Sequence, residues 1–254
     1  MNQLRSEAKD FENAYIDSAL HGIQELKNNL VSQIAHNFRT PLTSVLGFAE
    51  MLIEDRPLTD EQRVEYARFI QYEGIRLSKL IDDVLELSSL ERGDTQLNLR
   101  CHILQDVIAE AMGCVSEFAR GRMVIVKKDF CESPVVVRID REKIAQAVYQ
   151  LLHNAVRFTK SNHEVVVSLG IEDSYAEIGV KDCGPGIAEE DIPTLFESIS
   201  RMCKAETSTL GTGVGLAIVK QIADLHNGRI HVQSKIGDGS YFVLSIPGVQ
   251  KSAV

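Results

Sequence analysis

The chain has 254 residues, too many for one small module and few for three, so one or two domains are expected. Its 27 Lys plus Arg against 36 Asp plus Glu give a formal charge of −9. That balance argues against a sequence-independent nucleic-acid binder, which needs excess cations to displace counterions. A hydrophobic fraction of 44% and a charged fraction of 25% exclude a disordered chain. No apolar run reaches the ~18 residues that span a bilayer, and residues 1–15 hold no apolar signal core. Five cysteines, Cys101, Cys114, Cys131, Cys183 and Cys203, are odd in number and form no CxxC pair. They read as reduced thiols, so a cytoplasmic setting is expected.

Residues 1–92 carry helical grammar. Apolar side chains recur at Ile23, Leu26, Leu30, Ile34, Phe38, Leu42, Val45, Ala49 and Leu52, in steps of three or four. A break follows at 54–60, where Thr59 or Asp60 is placed to cap a second helix. The second stripe runs through Val64, Ala67, Ile70, Leu77, Leu80, Ile81, Val84, Leu85 and Leu87, and Gly93-Asp94 ends it. Two helices cannot bury both stripes alone. Pairing with a second copy would complete a four-helix bundle.

From residue 96 the grammar changes. Short β-rich runs are expected at 123–126, 135–139, 165–169, 176–180, 229–233 and 241–246, with helices at 103–119, 140–156 and 213–226. Strands and helices mix without a regular βαβ repeat, which predicts an α+β layered domain. The tail after Pro247 is expected to be loose.

Four segments carry chemistry. His36 lies on a helical spacing that turns it away from the apolar stripe, and an exposed neutral imidazole is a nucleophile. Thr40 stands at i+4 on the same face. In the helix around 146–159, Asn154 lies off the apolar face, and an asparagine carbonyl is a hard ligand suited to Mg²⁺. Asp182-Cys183-Gly184-Pro185-Gly186-Ile187 follows a strand. There an Asp can accept from an amine such as adenine N6, and the glycines let a planar ring approach. Gly211-Thr212-Gly213-Val214-Gly215-Leu216 opens a helix whose N-terminal dipole attracts phosphate. It is neither a Walker A loop nor a Rossmann fingerprint.

His36-Asn37-Phe38-Arg39-Thr40-Pro41-Leu42 resembles the phosphoacceptor box of sensor histidine kinases, H-E/D-x-R-T-P-L. The downstream order of asparagine helix, DxGxG, Phe-containing loop, GxGxGL and Gly-rich hairpin resembles their catalytic domain, a member of the ATPase superfamily that includes gyrase and MutL. The resemblance covers roughly residues 30–247. It implies a dimeric all-α helical hairpin followed by an α/β sandwich of Bergerat type that binds ATP under a mobile lid. The domains it implies are 1–30 as a signal-transmitting linker helix, 31–95 for dimerisation and phosphotransfer, and 96–250 for catalysis.

By the same resemblance His36 accepts the γ-phosphoryl group of ATP, and Thr40 orients the water that attacks phospho-aspartate. Asn154 holds Mg²⁺, Arg157 stands for a phosphate-contacting Lys, and Phe158 packs on adenine. Asp182 reads the adenine amine beside Gly184, Gly186 and Ile187. Gly211, Thr212, Gly213, Val214, Gly215 and Leu216 line the phosphates, and the Ser240 hydroxyl helps hold the adenine-site water. The implied cofactors are ATP and Mg²⁺. The implied partners are a second copy, the receiver domain of a response regulator, and an upstream sensor outside this chain.

Three positions depart from the family pattern. Asn37 replaces the acid beside the histidine, Gln150 replaces the first asparagine of NxxxN, and Ile199 stands where a second Phe is common in the lid. An amide can orient the imidazole Nδ1–H but cannot take its proton. These departures motivate an alternative expectation, a kinase-weak, phosphatase-biased or scaffolding module. An ATPase or protein-serine kinase of the same superfamily is a third reading, against which the His36 box counts.

Overall fold

The computed structural model describes residues 37–54, 57–91, 95–196 and 214–250. The linker helix expected over 1–30, His36, the lid segment 197–213 with Gly211, Thr212 and Gly213, and Cys203 lie outside the described residues. The chain divides into two compact units, and the boundary among described residues falls at Asp83.

The first unit is helical. Helix α1 covers 37–53 and α2 runs Asp60–Glu91. Of the two caps expected for α2, Thr59 is the one used. Its Oγ1 accepts from Gln62 N at 3.2 Å, and its own N–H donates to Gln62 Oε1 at 3.0 Å. This reciprocal pair satisfies two donors that the helix start would leave unmet. Phe48 stacks on Phe69 with centroids 4.7 Å apart and tilts against Tyr66 at 5.6 Å, which joins the two helices into a hairpin. Apolar side chains nonetheless stay open along it, among them Leu42, Leu46, Ile53, Val64 and Ile75.

The second unit begins with the last turns of α2, where Leu87 and Leu90 are buried. Glu86 there receives Lys143 Nζ at 2.6 Å and also the Gln146 amide. The unit continues as β1 (Arg100–Ile103), α3 (Leu104–Gly121), β2 (Ile125–Phe130), β3 (Val136–Ile139), α4 (Arg141–Phe158), β4 (Glu164–Glu172) and β5 (Tyr175–Lys181). A short 3₁₀ turn at Glu189–Asp191, then α5 (Gly215–Leu225), β6 (Arg229–Lys235), β7 (Gly239–Pro247) and β8 (Val249–Gln250) complete it.

Five strands form one sheet in the order β2-β4-β5-β7-β6, parallel only between β2 and β4. Alternation decides its faces. Val165, Val167 and Leu169 on β4 are buried, as are Ala176, Ile178 and Val180 on β5. They share the core with Leu104, Ile108 and Val115 of α3, Ile144, Leu151 and Leu152 of α4, and Ile218 and Ile222 of α5. A two-layer α/β sandwich results, as the resemblance implied.

The strands and helices expected from residue 96 onward are present. Two strands are additional, because neither has a stripe of its own to read: β1, four residues of mostly exposed side chains, and β8. β8 also corrects the expectation of a loose tail. Gly248 turns at φ +88°, the N–H groups of Gly248 and Val249 both reach Ser174 O, and Val249 and Gln250 pair with β3. The small sheet β1-β3-β8 follows.

Candidate functional site

The site in the second unit is assembled by α4, the loop after β5, the start of α5 and the β6–β7 hairpin. Helix α4 is fixed at its N-terminus. Asp140 caps it by accepting from Lys143 N at 3.2 Å, and its other oxygen accepts from Asn98 N at 2.9 Å. The Asp140 N–H in turn donates to His226 Nε2 at 3.0 Å, while His226 Nδ1 lies 2.8 Å from Ile222 O. A ring nitrogen facing a carbonyl must carry the proton, so His226 is held as the neutral Nδ1–H tautomer. Burial lowers its pKa, outweighing the Ile222 carbonyl and the Asp140 charge, which raise it.

Further along α4, Gln150 is buried and Asn154 half-buried. A Cβ on Gly215 would come 2.8 Å from Gln150 Oε1 and 3.9 Å from Asn154 Nδ2. Both amides therefore reach the first turn of α5 at Gly215. Val214 and Leu216 beside it are buried, and α5 has no side-chain cap. At the C-terminal end of α4 the Arg157 guanidinium lies over the Phe158 ring, 4.7 Å from its centroid. A Cβ on Gly184 would meet the Phe158 Cβ and carbonyl at 3.2 Å, so Phe158 and the loop after β5 are in close contact.

That loop is clasped by the β6–β7 hairpin. Asp182 N donates to Ser240 O at 2.9 Å, and Asp182 Oδ1 accepts from Gly184 N at 2.8 Å and Ser240 N at 3.2 Å. Gly237 N donates to Pro185 O at 2.8 Å, Ile187 N to Ser234 Oγ at 2.9 Å, and Cys183 N to Thr159 Oγ1 at 3.4 Å. Two glycines permit this approach. Gly186 turns at φ +74° against the Lys235 carbonyl, and Gly239 turns at φ +85° against that of Asp182. Asp182 itself is only 5% exposed. Burial pushes its carboxyl above the ordinary value, and the bonds from Gly184 and Ser240 pull it back only in part. A buried carboxylate with backbone donors on one oxygen can accept from a ligand amine, and the exposed Phe158 beside it offers a ring to stack on.

The structure thus brings together Gln150, Asn154, Val214, Gly215 and Leu216 at one end, and Arg157, Phe158, Asp182, Gly184, Gly186, Ile187 and Ser240 at the other. Phe196, at the last described position before the lid, packs edge-on against Phe242 with centroids 6.4 Å apart. In the first unit Asn37 is half-buried and Thr40 exposed, its carbonyl accepting from Ser44 Oγ at 3.3 Å. Among the described residues no group of three His, Cys, Asp or Glu is placed to hold a metal. No helix among them is long and apolar enough to cross a membrane.

Sequence reasoning did not find Thr159, His226 or Ser234. Thr159 and His226 left no periodic signal. Ser234 did leave one: it follows Ile230 and Val232 at strand spacing, and a hydroxyl on an inward face needs a partner.

Comparison with known proteins places both units among described families. Residues 26–93 match the family model of the His Kinase A (phospho-acceptor) domain. Residues 139–250 match that of the histidine kinase-, DNA gyrase B-, and HSP90-like ATPases. The chain is 32% identical to the circadian input-output histidine kinase CikA of Synechococcus elongatus, over 96% of this chain and 34% of that protein. It spans about a third of the length of the CikA relatives it matches. Among solved structures, full-length ShkA in complex with AMPPNP is similar at a TM-score of 0.65 and 27% identity, over 87% of this chain and 47% of that one. Histidine kinase ThkA in complex with the response regulator TrrA shares the fold at a TM-score of 0.70 and 24% identity, over 86% and 61% of the two chains.

Proposed function

The chain belongs to the sensor histidine kinase family, and on that premise we propose that it phosphorylates itself on His36 from ATP and relays the group to an aspartate of a response-regulator receiver domain. The carrying observation is the clasped Asp182. A buried carboxylate held by Gly184 and Ser240, beside Phe158, suits the amine edge and the face of an adenine ring. The phosphates then run toward the first turn of α5, where the helix dipole favours negative charge. Gln150 turns its amide oxygen there, and Asn154, whose Nδ2 faces the same turn, carries the second amide oxygen that would serve a metal. Mg²⁺ fits that donor set, because it keeps most of its waters and leans on substrate phosphates rather than on a cage of carboxylates. When bound it neutralises charge on the transferring group.

In the transfer, the His36 Nε2 lone pair forms a bond to the γ-phosphorus, the bond to the bridging oxygen breaks, and ADP leaves with that electron pair. The Nδ1 proton is then lost. In the relay, a carboxylate oxygen of the receiver attacks the phosphorus, the P–N bond breaks with its electron pair returning to Nε2, and Nδ1 regains a proton, so that neutral imidazole leaves. The working unit is a homodimer in the cytoplasm, and the open apolar side chains Leu42, Leu46, Ile53 and Val64 on the hairpin support the dimer.

Labelled γ-phosphate from ATP tests this reading. Wild-type chain should acquire acid-labile, base-stable label, and His36→Ala should acquire none. Label retained at normal levels on that variant would remove His36 from the mechanism.

A second reading, a phosphatase-biased module, is favoured by two observations. Asn37 stands where an acid would take the imidazole proton, and Thr40 is exposed. General-base assistance is worth about 10²–10⁴-fold. Asn37→Glu should therefore speed autophosphorylation and leave phospho-receiver hydrolysis nearly unchanged. A rate indifferent to that change would place the limit in lid closure or docking.

A further inference from the structure

The Ser234 hydroxyl joins three segments of the site. It accepts from Ile187 N at 2.9 Å, donates to Gly239 O at 2.8 Å, and lies 3.0 Å from Ser240 Oγ. The loop after β5 and the β6–β7 hairpin are otherwise joined by backbone groups and by the Asp182 carboxylate. Ser234 is half-buried on the inward face of β6. Its contacts with Gly239 and Ser240 bear on Asp182 directly. Ser240 N is one of the two donors on Asp182 Oδ1.

Proton counting sharpens the relation. Ser234 and Ser240 each have one hydroxyl proton. Ser234 gives its proton to Gly239 O, so the short Ser234–Ser240 contact takes the proton of Ser240, and Asp182 Oδ1 is held by the backbone donors Gly184 N and Ser240 N. The Ile187 N–H occupies a lone pair of Ser234 and holds the loop at this spacing.

We propose that Ser234 is a positioning residue for adenine recognition: it ties Ile187 to the hairpin and, through Gly239 O, fixes the turn whose Ser240 N–H holds Asp182 Oδ1, so that Asp182 presents a fixed acceptor to the exocyclic amine of the nucleotide. The inference rests on the reading of this pocket as an ATP site. Nothing in Ser234 is required to touch the ligand. Its effect should therefore be confined to the amine that Asp182 reads.

The test compares ATP with purine riboside triphosphate, which has the same ring and phosphates and lacks the amine, by titration calorimetry on the full 254-residue chain. Wild type should favour ATP. In Ser234→Ala the ATP affinity should fall about tenfold, the worth of one good hydrogen bond to a charged group. The affinity for the amine-free analogue should move less than about twofold, so the preference collapses. Ser234→Thr keeps the hydroxyl and should restore the preference. Ser234→Cys keeps the volume with a weak donor, and should lose the preference even if the Ala variant fails to fold. A parallel loss of both nucleotides would overturn the proposal, since a merely structural serine acts on both. An unchanged preference in the Ala and Cys variants would overturn it too. Asp182→Asn serves as the reference. If that variant keeps the full preference, the pocket reading fails and the Ser234 role with it. If it loses the preference while the Ser234 variants keep it, only the Ser234 role falls.

Discussion

Asp182 carries a conflict that its surroundings do not resolve. Burial raises its pKa from 3.8, and the bonds from Gly184 and Ser240 lower it by less. A carboxyl whose folded-state pKa is raised contributes stability that is present below 3.8 and is lost as the pH rises through the folded-state value. At pH 7 the side chain therefore opposes folding, a common cost of a binding residue. Asp182→Asn removes that cost and keeps an oxygen for Gly184 N and Ser240 N. Its melting temperature at pH 7 should equal or exceed that of wild type, and the advantage should shrink below pH 4. Its ATP affinity should fall, because an amide nitrogen meets the adenine amine donor to donor. The mismatch costs about 1–3 kcal/mol, roughly tenfold and upward in Kd. Melting curves at the two pH values and calorimetry with ATP check both halves. A variant less stable at pH 7 with unchanged affinity would mark Asp182 as a turn residue.

At the scale of elements, His226 binds the end of α5 to the start of α4. Its Nδ1–H donates to Ile222 O, and its Nε2 accepts from Asp140 N. Protonation would set N–H against N–H at the Asp140 contact. The pKa is lowered from 6.5, so the unfolded chain binds the proton first as the pH falls. Stability from this contact is full above 6.5 and is lost as the pH drops from there toward the folded-state value. The carboxylate of Asp140 nearby softens the loss and does not reverse it. His226→Gln retains an acceptor for Asp140 N and cannot titrate. At pH 7.5 it should be less stable than wild type by about 1–3 kcal/mol, since the Ile222 contact is disturbed. Between pH 7 and 5.5 its melting temperature should decline less than that of wild type. Parallel declines would assign the pH dependence to other groups.

At the scale of the whole molecule, the hairpin leaves Leu46 55% exposed and Ile53 82% exposed. A second copy is the occupant the proposed function supplies. Leu46→Glu should shift sedimentation toward monomer and sharply reduce autophosphorylation. ATP affinity should stay within about twofold, because the described nucleotide groups are all in the other unit. A variant that remains dimeric would show that this face of α1 is solvated.

Much of this was legible in the chain itself. The three- and four-residue steps through Leu42, Val45 and Ala49 dictate a helix, and the alternation of Val165, Val167 and Leu169 dictates a strand, because those periods are properties of local backbone geometry. The Asp182 loop was legible for a similar reason: Gly186 sits where the backbone takes positive φ against another strand, and Gly184 where it meets the end of α4. Only the tertiary structure decided the rest. Strand β8 exists because β3 offers an edge, and nothing local in Val249-Gln250 demands pairing. Gln150 finds Gly215, His226 finds Asp140, and Ser234 finds Ile187 across separations that no periodicity encodes. A buried polar group announces that it needs a partner, but which partner it meets depends on how sheet and helices stack.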